Sequence, residues 1–230
     1  MTTYVLVHGS TLGGWSFAAL REELERRGHR VLAPSLTGLA DRAHLAGPDT
    51  GLVLHIEDIT RLLHWEDLHD VVLVGSSYGG MVITGVAGEV PERVRHLVYL
   101  DAFRPQPGQS CFDQLPDLPA RLGDPMPEQP WAWPPFADYG PFGVTDPEQV
   151  AWLEAQSTPM PTLTHREPLP EPKHPVSTPA TYVQGAAWRS FDEVAEQARR
   201  DGLDVHIWTG SGHLMYVTEA ERVADLLVKI

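Results

Sequence analysis

Four apolar residues, Val71 to Val74, run straight into Gly75-Ser76-Ser77-Tyr78-Gly79, and a helical pattern over 79–87 starts on the last of these glycines. A strand that becomes a helix within so few residues must reverse its backbone sharply. Small residues two before and two after the apex leave room for that reversal, and the apex residue is lifted above the end of a sheet. Ser77 occupies the apex, with its hydroxyl at the positive end of the following helix. It is therefore the candidate nucleophile, whereas Ser76 is out of step with the two glycines.

Short apolar runs alternate with amphipathic stretches along most of the chain. Strands are predicted at 4–7, 31–33, 71–74, 97–100, 181–184 and 205–208, and helices at 17–27, 55–64, 79–87, 191–200 and 218–228. Parallel neighbours need a crossover, and right-handed crossovers put helices on both faces. The pattern predicts an α/β fold with a mostly parallel sheet of about six strands flanked by helices.

That rhythm stops between 104 and 177. Eighteen of the 21 prolines lie from Pro105 to Pro179, so this stretch is expected to be irregular, with short helices at most. It also holds Phe112, Trp131, Trp133, Phe136, Tyr139, Phe142 and Trp152. A disordered linker would be poor in such residues, because burying them is what offsets the entropy of ordering a chain. An ordered lid over 104–177 is expected, inserted into a core made of 1–103 and 178–230. Trp131, Trp133 and Phe136 are its candidate substrate contacts.

Composition narrows the partners. With 17 basic and 31 acidic residues the formal net charge is -14, which repels phosphate backbones and anionic lipid. A small-molecule substrate is expected, with no nucleic acid and no membrane partner, and the oligomeric state is left open. A chain of 230 residues that is 42% hydrophobic suits one soluble domain. The single cysteine, Cys111, permits no intrachain disulfide. Met1-Thr2-Thr3 leads directly into an apolar strand without the basic start and long apolar segment of a signal peptide, so a cytoplasmic location is expected. His64 and His69 lack a third convergent ligand, and neither a metal nor a cofactor is expected.

A serine hydroxyl attacks poorly until a base takes its proton. His213, in the loop Thr209-Gly210-Ser211-Gly212-His213 between the last strand and the final helix, is the histidine placed to do so. His29, His55, His64, His69 and His96 fall on helices or at element ends and read as surface or capping residues. Charge developing on a carbonyl oxygen needs preorganised donors. The Tyr78 N–H is one candidate. The other is the Ser10 N–H, in the small-residue loop His8-Gly9-Ser10-Thr11-Leu12-Gly13-Gly14 after the first strand, where Thr11 is a further candidate substrate contact and His8 a brace.

Taken together, Val7-His8-Gly9-Ser10 with Gly13-Gly14-Trp15, Leu36-Thr37-Gly38-Leu39, Gly75 to Met81, Leu97 to Phe103 and Gly212-His213 resemble the α/β-hydrolase fold. More narrowly, they resemble the small serine hydrolases that include plant salicylate-ester esterases and hydroxynitrile lyases. The resemblance implies an orienting carboxylate after strand 181–184, yet Gly185-Ala186-Ala187-Trp188-Arg189 contains none. Asp101, at the end of the preceding strand, is the replacement that other members of the fold suggest, with Asp192 as the alternative. Ser76 also departs from the histidine that many relatives carry there.

The resemblance implies a carboxylic ester or thioester hydrolase. It would act through an acyl-enzyme on Ser77, with His213 and an aspartate completing a triad, on a bulky apolar or aromatic substrate, and a role in secondary metabolism is compatible with it. Ester, thioester and lactone are not separated. A hydroxynitrile lyase is the second reading, although Leu214 stands where the plant lyases have lysine. A non-catalytic binder of small ligands is the third.

Overall fold

The computed structural model describes residues 1–230. Its strands are β1 (Thr3–Val7), β2 (Arg30–Leu32), β3 (Val71–Ser76), β4 (Val94–Leu100), β5 (Ala132–Trp133), β6 (Met160–Pro161), β7 (Ala180–Gly185) and β8 (Asp204–Trp208). Six of them form a wholly parallel sheet in the order β2-β1-β3-β4-β7-β8. The order reverses direction at β1, so the carboxyl ends of β1 and β3 border a crevice, which is where open α/β sheets place ligands.

Both faces of the central strands β1, β3 and β4 are covered, and this explains why these strands read as largely apolar runs, whereas the edge strand β8 is mostly exposed or half-buried. Val5, Val7, Leu73, Leu97, Tyr99 and Tyr182 point to one side, against α2 (Leu52–Trp65), α3 (Gly79–Glu89) and α8 (Asp192–Arg200). Their neighbours Tyr4, Leu6, Val72, Val74, Val98 and Val183 point to the other, against α1 (Ala18–Arg26), α9 (Met215–Thr218) and α10 (Ala220–Leu227). The expected last helix, 218–228, is α10, and the short α9 precedes it across Glu219. No helix is long and apolar enough to cross a membrane.

Between β4 and β7 the chain forms α4 (Cys111–Gln114), α5 (Leu118–Leu122), α6 (Pro147–Gln156), α7 (Leu163–Arg166) and the antiparallel pair β5–β6. At ten residues, α6 is longer than the proline content led us to expect. Pro147 sits in its first turn, where an amide is not needed, and the Asp146 carboxylate accepts from the Glu148 and Gln149 amides. This inserted segment packs on the core at both sides of the crevice. Trp152 meets Trp15 edge-on at 4.8 Å, and the Leu214 amide donates to the Phe142 carbonyl at 3.1 Å.

Candidate active site

Ser77 sits between β3 and α3 with φ of 53°, a left-handed conformation that costs a residue with a side chain of order 1–3 kcal/mol. The turn closes only because its flanks are glycine. A Cβ on Gly75 would lie 2.6 Å from the Gly79 carbonyl oxygen, and one on Gly79 would lie 2.2 Å from that of Val7. The Ser77 carbonyl accepts from the Gly80 and Phe103 amides, at 3.1 Å each. Ser77 itself stays partly exposed at the carboxyl edge of the sheet, while Ser76 is fully buried behind it.

Asp101 follows β4 with φ of 46° and is fully buried. Its amide donates to the Val183 carbonyl at 2.7 Å, so pairing with β7 carries one residue past the end of the strand. The carboxylate then has two partners: Oδ1 accepts from the Gly185 amide at 3.1 Å, and Oδ2 lies 2.6 Å from Nδ1 of His213. Burial pushes the Asp101 carboxyl above its ordinary range, opposed by the His213 hydrogen bond. Asp192 is placed elsewhere, bonded to Gln184 at 2.5 Å and Arg189 at 2.9 Å. The His213 ring is nearly parallel to Phe191 at 5.7 Å and meets Phe142 at 5.4 Å and Trp188 at 5.6 Å, which leaves its free nitrogen, Nε2, for the crevice.

In the loop after β1, the Ser10 N–H finds no acceptor within the protein, and neither does the Tyr78 N–H before α3. His8 braces this loop. Its Nδ1 donates to the Gly9 carbonyl at 2.8 Å and its Nε2 accepts from the Leu36 amide at 3.0 Å, while burial lowers its pKa to about 4.

Ser77, His213 and Ser10 open onto one cavity of about 230 Å³, walled chiefly by Leu115, Leu118, Phe136, Phe142 and Trp188. Of the expected substrate contacts, Phe136 lines this cavity and Thr11, Trp131 and Trp133 do not. Trp133 is buried behind the wall, its Nε1 donating to the Gly123 carbonyl at 3.1 Å. Thr11, buried with φ of 62°, accepts the Thr158 amide at 2.9 Å, so it ties the inserted segment to the core. A larger open groove of about 930 Å³ runs along the amino ends of β4, β7 and β8 past Glu89, His96 and Lys229, and neither Ser77 nor His213 lines it.

Residues 4–226 match the model of the alpha/beta hydrolase family. The chain belongs to that family. Among curated relatives of this hydrolase-family chain, a carbendazim-hydrolysing esterase of Nocardioides sp. (strain SG-4G) is 50% identical over 116 residues, 50% of this chain and 48% of that protein. Methylesterase 1 of Arabidopsis thaliana is 33% identical over 140 residues, 60% of this chain and 51% of that one. The chain spans about half the length of the curated relatives it matches. Among solved structures, an extracellular α/β-hydrolase from a Paenibacillus species, described as homologous to tobacco salicylic acid binding protein 2, superposes with a TM-score of 0.84. It is 23% identical, with 100% of this chain and 98% of that one covered.

Two histidines of this α/β-hydrolase site escaped sequence reasoning. His55, expected as a surface or capping residue, is fully buried in α2, with Nε2 donating to the Thr37 carbonyl at 2.8 Å and Nδ1 accepting from the Tyr78 hydroxyl at 2.9 Å. Burial lowers its pKa to about 4. His165, in α7, lines the cavity and meets Ser10 Oγ at 2.9 Å. The apolar spacing of Leu52, Ile56, Ile59 and Leu63 puts His55 on the inner face of α2 and was a usable signal. Nothing local to Leu163-Thr164-His165 marks it as part of a site.

Proposed function

We propose that the protein is a serine hydrolase of small carboxylic esters or thioesters with a bulky apolar or aromatic group. The observation that carries this reading is the buried 2.6 Å contact between Asp101 and His213, beside a strained serine turn that opens onto the same cavity. Ser77 Oγ attacks the carbonyl carbon as His213 Nε2 takes its proton. The Ser10 and Tyr78 amides receive the oxyanion, and Asp101 holds His213 in the right tautomer and favours its charged form. His213 then returns the proton to the departing alcohol or thiol. An acyl-Ser77 remains, and a water deprotonated by His213 hydrolyses it.

The wall composition supports an apolar substrate. The volume lies below the roughly 300–1,000 Å³ of drug-sized sites, which favours a small one. The inserted segment acts as a lid in this scheme, since it supplies Leu115, Phe136 and Phe142 to the wall. An esterase and a methylesterase among the partly matching relatives point the same way.

Hydrolysis of a p-nitrophenyl ester series from acetyl to octanoyl and benzoyl, by folded wild type and Ser77→Ala, tests the proposal. Turnover that falls at least a thousandfold in the variant is expected. Equal turnover by both proteins would remove Ser77 from the chemistry.

A further inference from the structure

His165 is 2% exposed and sits where the inserted segment closes on the first loop of the core. Its hydrogen-bond roles can be worked out from its neighbours. The Thr164 hydroxyl spends its proton on the Pro161 carbonyl at 2.5 Å, so its oxygen accepts from His165 Nδ1 at 2.9 Å. Nδ1 therefore carries the ring hydrogen, and Nε2 is left as an acceptor for the Ser10 hydroxyl at 2.9 Å. The same ring stacks on Tyr78 with centroids 5.2 Å apart and 22° between planes. Trp133 backs it edge-on at 5.7 Å. One imidazole thus touches the side chains of the two residues whose amides lack acceptors.

We propose that His165 is a positioning residue, fixing from the inserted segment the side chains of Ser10 and Tyr78 and, through them, the two amides that receive the oxyanion. The inference rests on the reading of those amides as oxyanion donors. Ser10 lies in a loop with glycine at positions 9, 13 and 14, and a loop so built needs an outside anchor to hold an amide within the few tenths of an ångström that transition-state stabilisation demands. His165 supplies that anchor from 155 residues away. It does not make Ser10 a second nucleophile. No carboxylate pairs with it as Asp101 pairs with His213, and burial lowers its pKa to about 3, so near neutral pH it is uncharged and accepts the Ser10 hydrogen.

The test compares wild type, Ser77→Ala, Ser10→Ala, His165→Phe, His165→Gln and the Ser10→Ala/His165→Phe double variant. Turnover of a p-nitrophenyl ester is measured beside the affinity for phenylboronic acid, which adds to the serine as a tetrahedral mimic. Phe keeps the stack on Tyr78 and removes the acceptor, while Gln offers its carbonyl oxygen near the lost Nε2. Ser10→Ala and His165→Phe are each expected to lower kcat about tenfold, with KM within about twofold and boronate affinity reduced by a similar factor. The double variant should lose no more than either single one, since both cut the same bond, and His165→Gln should recover the share of the rate carried by the Ser10 bond but not the share carried by the stack on Tyr78.

Wild-type kcat in Ser10→Ala, multiplying losses in the double variant, or an effect confined to KM would each overturn the inference. Should His165→Phe fail to fold, Ser10→Ala alone carries the same kcat-against-KM signature. A wild type without Ser77-dependent turnover would overturn the hydrolase reading itself, an outcome distinct from an active wild type that is indifferent to His165.

Discussion

Asp101 reaches His213 from the end of β4, and the chemistry of that contact separates it from the other carboxylate nearby. An asparagine at 101 would present an amide where His213 Nδ1 needs an acceptor, leaving the imidazole in the wrong tautomer to act as a base. Asp101→Asn is expected to lower kcat on an aryl ester about 10⁴-fold without unfolding the protein. Asp192→Asn should change it less than twofold, because that carboxylate is engaged by Gln184 and Arg189 instead. Parallel kcat measurements with thermal melts check this, and the opposite ranking would move the orienting role to Asp192. The serine turn was legible in the sequence because its constraint is local: glycines flank the residue that must adopt a positive φ. Asp101 was only one of two options, since its contact depends on the parallel pairing of β4 with β7 and on the return of a loop 112 residues away.

At the scale of elements, the central strands could be read because strands buried on both faces need largely apolar runs, whatever the rest of the chain does. The inserted segment could not be resolved in the same way. Pro147 looks like a helix breaker in a proline count, yet with Asp146 before it the pair starts α6. The segment also meets the His213 loop backbone to backbone, which no residue pattern announces. A Cβ on Gly212 would lie 2.5 Å from the Phe142 carbonyl oxygen, in a contact already closed by the bond from the Leu214 amide to that oxygen. Gly212→Ala must therefore push the His213 loop away from the insertion. A shift of this kind is expected to cost about 10²-fold in kcat while the sheet stays intact. Gly47→Ala, with nothing within 4 Å of the added carbon, is the matched control and should remain at wild-type rate. Steady-state assays of both variants decide the matter, and equal activity would show that the loop tolerates displacement.

For the molecule as a whole, three of the buried histidines, those whose pKa burial lowers furthest, make acid the weak side of the fold. His8, His55 and His165 come from the first loop, from α2 and from the inserted segment, and they converge only in the folded chain. Burial lowers their pKa values to about 4, about 4 and about 3, from an ordinary 6.5. Between pH 6.5 and 4 the unfolded chain therefore binds protons that the folded one refuses. Their contribution to stability is complete above pH 6.5 and is lost as the pH falls toward their folded values. Each group costs about 1.4 kcal/mol per pH unit inside that window, so the three together cost about 4 kcal/mol per unit. Asp101 has the opposite sign, its raised pKa favouring the fold at low pH, but one carboxyl does not cancel three imidazoles. A domain stable by about 5 kcal/mol should therefore begin to unfold a little over one unit below pH 6.5, and one stable by about 10 kcal/mol only near pH 4. Urea titrations at pH 7.5, 6.0 and 5.0 measure this directly, and His165→Phe should reduce the slope by about one proton. A free energy of unfolding that stayed flat from pH 7.5 to 5.0 would mean that the folded protein takes up these protons, and that the hydrogen bonds assigned to the three rings as neutral groups are wrong.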